Sequence, residues 1–123
     1  MAKEHHPLTE LEVRLVALAK EHNFSLNREP VQYYCEFVHG DTAVYLDRQR
    51  TKRDIIAVFL HPETDLDRLP QDAGLGGPGG IRHAEGLRLF PKKFNKGKRP
   101  SSYGYPIICP DLTAFGRLLA SLT

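Results

Sequence analysis

The 123-residue sequence predicts an α+β fold, a single antiparallel sheet of about four to five strands. An N-terminal and a C-terminal helix pack on that sheet, and a long glycine-rich and basic loop region interrupts it. Three observations carry this prediction. A helix-start signature opens a helical repeat near the N-terminus, strand-like patterns then follow one another with no helix between them, and a second helical repeat closes the chain.

Residues 1–7 are polar and are expected to be disordered. Thr9 followed by Glu12 fits a capping box, in which hydroxyl and carboxylate satisfy the exposed amides of a helix start. The helix is expected over residues 10–22, with Leu11, Leu15, Leu18 and Ala19 inward, Val16 at the edge, and Glu12, Arg14, Lys20 and Glu21 mostly outside. Asn23 suits a left-handed stop.

Residues 31–38 (VQYYCEFV) and 42–47 (TAVYLD) are aromatic and β-branched around His39-Gly40-Asp41, which predicts a hairpin. Alternation places Val31, Tyr33, Cys35 and Phe37 on one face of the first arm, and Thr42, Val44 and Leu46 on one face of the second. A third strand, DIIAVFLHP, is apolar on both faces over residues 55–60 and belongs in the centre of the sheet. RQRTKR, before it, has no apolar anchor and reads as a turn exposed to water. ETDLDRLPQD suggests a short helical turn, and GLRLF at 86–90 a fourth strand. PKKFNKGKRPSSYG reads as a long loop, making residues 70–104 an irregular region with one short strand. YPIIC at 105–109 is a strand whose Pro106 points to an edge or strand-start position. Asp111 can cap a last helix reaching residue 122, with Leu112, Phe115, Leu119 and Leu122 on one face.

One domain is expected at this length. The longest apolar runs are too short to span a bilayer, and MAKEHHPLTE contains no apolar signal-like core, so a cytoplasmic setting is expected. Cys35 and Cys109 form no C-x-x-C pair and read as buried thiols.

In AGLGGPGG, Gly74, Gly76 and Gly79 have the G-x-G-x-x-G spacing of a dinucleotide cradle. The flanks do not fit it. No apolar strand precedes the glycines, no helix of useful length follows, and Pro78 removes an amide, so the stretch reads as a flexible connection. His61, Glu63 and Asp65 alternate as an extended metal site would, but without a second histidine or cysteine at ligand spacing. The motifs call for no catalytic set, no metal and no cofactor.

Charge is more informative. Residues 1–47 hold 4 Lys and Arg against 8 Asp and Glu, and residues 48–123 hold 13 against 7. Arg48, Arg50, Lys52 and Arg53 share one turn. Arg88, Lys92, Lys93, Lys96, Lys98 and Arg99 lie in a stretch without acids, interleaved with Phe94 and Tyr103, whose rings suit base stacking. These twelve residues form the expected nucleic-acid contact set, with DNA or RNA as the partner and phosphates as the main target. The alternative is a protein-interaction, regulatory or inhibitor module that meets an acidic protein partner. A third reading, of lower weight, is a metal-dependent hydrolase or nuclease built from His61, Glu63 and Asp65, or from Asp47, Asp54 and Glu63. A binding module is favoured over an enzyme.

The run AVYLDRQRTKRDIIAVFLHP, then RLF, YGYP and LTAFGRLL, resembles the YgaC-like family of small uncharacterised bacterial cytoplasmic proteins. In that family a strand ending in Asp or Asn plus Arg leads through a basic turn to a strand ending in His-Pro, and a Tyr-Gly-x-Pro segment precedes the closing helix. The match covers residues 42–122. It implies an antiparallel sheet with flanking helices and a cytoplasmic setting, and it carries over no catalytic or ligand residues. AGLGGPGG and the lysine-rich loop are longer than the family pattern.

Overall fold

The computed structural model describes residues 7–77, 80–94 and 100–123. Helix α1 spans Glu10–Glu21, and both halves of the capping box form, since Glu12 N donates to Thr9 Oγ1 and Thr9 N to Glu12 Oε1. It stops where Asn23 takes φ 66°. Strand β1 (Ser25–Leu26) pairs with β2 (Tyr34–His39), which forms a hairpin with β3 (Thr42–Asp47). His39 faces Thr42, so the turn has two residues, and Gly40 supplies the φ of 57° that it requires. A short helix α2 (Arg48–Thr51) leads to β4 (Ile56–Leu60), which lies between β3 and β7 (Pro100–Cys109). Strands β5 (Arg82–His83) and β6 (Lys92–Phe94) both pair with β7, and helix α3 (Leu112–Ser121) follows, with Asp111 Oδ1 accepting from Ala114 N.

The described residues therefore form an α+β fold with one antiparallel sheet of seven strands, ordered β1-β2-β3-β4-β7-β5 with β6 beside β7. The expected four to five strands fell short because β1, β5 and β6 are two or three residues long and contain no alternating apolar pattern of their own. Three local expectations change with them. RQRTKR is a helical turn with Arg48 and Thr51 buried, not an exposed turn. GLRLF is not a strand; it turns back on itself. PKKFNKGKRPSSYG is not a plain loop, because β6 and the start of β7 pair across it.

Alternation on the strands divides the interior in two. Cys35, Phe37, Val44, Leu46, Val58, Ile107 and Cys109 face α1 and α3, where Leu15, Val16, Ala19, Phe115, Leu118 and Leu119 meet them. The other face holds Tyr45 and Phe59, covered by Leu87 and Phe90 from the segment 84–90, which crosses the sheet as a strap. Phe90 stands edge-on to Tyr45 at 5.0 Å. Gly104 makes the strap's close approach possible, because a Cβ there would lie 2.6 Å from Leu60 O and 3.0 Å from the Phe90 ring.

Pro106 lies within β7, and its missing donor falls on the edge away from β4, between the positions paired with Gly76 and with Arg82. Ile108 exchanges both backbone bonds with Gly76, so the even-numbered amides of β7 point away from β4. That exchange also changes the reading of the glycine stretch. Gly76 is a strand-like partner of Ile108, and Gly77, at φ 66°, rests against Pro106 O, where a Cβ would come to 2.9 Å. Pro78 and Gly79 lie outside the described residues.

Candidate nucleic-acid interface

Asp47 ends β3 and caps α2, accepting from Gln49 N at 3.0 Å, and the turn that follows swings Arg48 inward. Its guanidinium donates to Glu12 Oε2 through Nε and to Oε1 through Nη2, both at 3.0 Å. Nη1 reaches Val31 O and Nη2 also reaches Pro7 O, each at 2.8 Å. Arg48 is only 4% exposed and every nitrogen is engaged, so it is removed from the phosphate-contact set. The same contact holds Pro7 in place, whereas residues 1–6, also expected to be disordered, lie outside the described residues. Burial alone would raise the Glu12 carboxyl; hydrogen bonds from Arg48, Thr51 and Thr9 outweigh it and hold the group below the usual carboxylate range. Glu12, expected mostly outside, is therefore the buried anchor of α1. Its partner's neighbours Arg50, Lys52 and Arg53 remain half-exposed or exposed.

Arg88 is the second exception. Nε and Nη2 grip Glu36 Oε1 and Oε2, each at 2.8 Å, while Tyr45 Oη donates to Oε1 at 2.6 Å and Asn27 Nδ2 to Oε2 at 2.9 Å. The Arg88 contact, aided by Tyr45 and Asn27, takes Glu36 down to about 2 against the opposing effect of burial. Leu89 N donates to Tyr45 Oη at 3.0 Å. Arg88 thus fastens the strap to the sheet, although about half of its side chain still meets solvent.

The remaining described cations of the second segment converge on a small lobe in which β5 and β6 flank the first half of β7. Tyr103 N donates to Pro91 O, and Ala84 N to Ser102 O, so β6 continues the line of β4 while β5 takes the opposite edge. Lys93 faces Ser101 in register, and its ammonium lies 4.8 Å from the centre of the Tyr103 ring. His83, opposite Tyr103, stacks on it at 5.5 Å, tilted by 35°, and its Nδ1 lies 2.9 Å from Ser101 Oγ. Arg82, Lys92 and Lys93 are exposed. Tyr103 belongs to neither core cluster, so its ring is a half-open flat surface bordered by positive charge. Phe94 is described through its backbone alone, facing Pro100. Lys96, Lys98 and Arg99 lie outside the described residues.

The two basic segments sit at opposite ends of β7. α2 precedes β4, whose Ile56 faces Cys109, whereas Lys93 faces Ser101, and eight strand residues separate those positions by about 26 Å. Arg82 and His83 were missed by sequence reasoning because they sit apart from the lysine run. The only local signal for them was IRH ahead of a glycine turn.

Elsewhere, His61 Nδ1 accepts from Glu63 N at 3.0 Å and its ring stands edge-on to Phe90. Among the described residues no group of three or more His, Cys, Asp or Glu side chains is placed to hold a metal ion. Burial raises both thiols, Cys35 and Cys109, to about 12, which leaves them inert as nucleophiles. No described helix is long and apolar enough to cross a membrane. No protein-family model, curated protein or solved structure matches the chain, so the resemblance to the YgaC-like family rests on the quoted motifs.

Proposed function

We propose that the protein binds nucleic acid through the β5–β6–β7 lobe. Lys93, with Lys92 from the opposite face of the same strand, contacts phosphates, and the Tyr103 ring offers a stacking surface for an unpaired base. The observation that carries this reading is Lys93 held over a half-open Tyr103 beside His83, which joins charge and a flat aromatic face within one sheet surface. Arg50, Lys52 and Arg53 form a separate positive end and are not needed for the first contact.

The test is a fluorescence anisotropy titration with single- and double-stranded oligonucleotides across a salt series. Single strands are expected to bind more tightly, and the log-affinity against log-salt slope to flatten by about 0.7 for each of Lys92 and Lys93 changed to Gln. Tyr103→Leu should weaken binding without changing that slope. Absence of binding at low salt ends the proposal; binding indifferent to Tyr103→Leu favours an acidic protein partner.

A further inference from the structure

The sheet face opposite Lys93 and Tyr103 is covered by the strap over Tyr45 and Phe59 but left open further along. There Ala57 and Ile108 face each other in register, with Phe59 opposite Pro106, and these side chains floor a slot of about 170 Å³. Gly77 forms one wall. Arg50, from α2, and Arg82, from β5, stand on the rim, and Ile108 is 38% exposed although it points into the slot. Asp47 shares the rim, with its carboxylate engaged by Gln49 N. Among the described residues neither Arg50 nor Arg82 has a carboxylate at salt-bridge distance.

We propose that this slot binds a flat ring bearing a phosphate monoester, with the ring on the Ala57–Pro106–Ile108 floor and the phosphate between Arg50 and Arg82. The size fits, since a cavity of about 150 Å³ accepts a single six-membered ring. The rim chemistry fits as well. Arginine is the side chain whose planar fork matches phosphate oxygens in pairs, and two of them here outnumber one carboxylate that is already hydrogen-bonded. An apolar floor that stays partly open beside guanidinium groups with no carboxylate at salt-bridge distance among the described residues is the pattern of a small-ligand site with few polar anchors. The slot uses the other face of β7 and needs neither Lys93 nor Tyr103, and Arg82 is its one side chain from β5.

The experiment is an amide chemical-shift titration of the full chain with four probes: uridine monophosphate, phenyl phosphate, uridine and inorganic phosphate. The phosphorylated rings are expected to shift the amides of Ala57, Val58, Ile107 and Ile108 saturably. Uridine and phosphate alone should bind at least about tenfold more weakly, since each lacks one of the two anchors. Arg50→Gln with Arg82→Gln should weaken binding by at least about tenfold, and Ala57→Leu, which fills the floor, should abolish it. Response to uridine monophosphate alone identifies a nucleotide site, and response to both phosphorylated rings a broader aryl-phosphate site. The proposal is overturned if inorganic phosphate binds as well as the phosphorylated rings, if the shifts fall on Lys93 and Tyr103 instead, if they survive the double arginine variant, or if no probe shifts these amides.

Discussion

Arg48→Met separates a buried structural arginine from a surface cation. The two side chains of the Glu12–Arg48 pair are 1% and 4% exposed, so removing the guanidinium leaves a carboxylate in the core with only Thr51 and the Thr9 amide as donors. Breaking one partner out of such a pair costs about 3–5 kcal/mol. With an unfolding entropy of about 2.1 cal/mol/K per residue over this chain length, Tm should fall by about 12–20 °C. The pH dependence gives a second readout. In the parent, Glu12 titrates below its ordinary value, so its contribution is present above that value and is lost as pH falls through the folded one. In the variant, burial acts without the arginine and raises the carboxyl, so the penalty is largest at neutral pH and fades as Glu12 becomes protonated. The gap between the two proteins should therefore begin to narrow above the ordinary carboxylate value, where Glu12 of the variant takes up its proton, and go on narrowing as pH falls to the lowered value of the parent. Changing Glu12 to Leu in the same chain should recover part of the loss, because no buried charge is then left alone. Thermal melts followed by circular dichroism at pH 7 and pH 3.5 test all three points. A fall under about 3 °C, or a gap that does not change with pH, would refute the buried-pair assignment and return Arg48 to the surface set.

Two further outcomes follow from the second face. Glu36, held at about 2 chiefly by Arg88, stabilises the fold above its ordinary value of 4.5 and loses that effect as pH falls toward 2; Arg88→Gln should move the acid-unfolding midpoint upward, and identical midpoints would sink the clamp. Gly104→Ala forces a Cβ against Leu60 O, a backbone atom that cannot rotate away, so denaturant titration should show a loss of about 1–3 kcal/mol, and unchanged stability would contradict the close approach of strap and sheet.

Local periodicity made α1, the β2–β3 hairpin, β4 and α3 legible in the sequence, because each buries its own face and writes the repeat that does so. What escaped depended on partners distant in the chain. Glu12 looked like an outward residue by its charge, yet it stands three, four and seven positions before Leu15, Val16 and Ala19, so its spacing had already placed it on the buried face. GLRLF alternates like a strand. Gly86 instead takes φ 99° with the Tyr34 ring against it, and the next turn points Leu87 and Phe90, three apart, into one pocket. The lysines of β6 gave no apolar signal, since that strand is defined by its pairing with residues 100–102.

The charge split along the chain closes partly inside the fold. Glu12 and Glu36 come from the acidic first part, Arg48 and Arg88 from the basic remainder, and each arginine crosses the fold to neutralise one buried carboxylate. The pairs act on opposite sides of the sheet: one joins α1 to α2 on the helical side, and the other joins the strap to β2 on the far side. A carboxylate left in the core without its arginine is strongly disfavoured, so each pair penalises an arrangement in which its cover is displaced. Fixing the strap matters most, because β5 precedes it and β6 follows it. The direction in which Lys93, Tyr103 and His83 face follows from the register of β5 and β6 with β7, while the Glu36–Arg88 contact holds the segment that joins β5 to β6. Composition alone counts Arg88 with the lysines, whereas its contacts make it the clasp of the segment between β5 and β6.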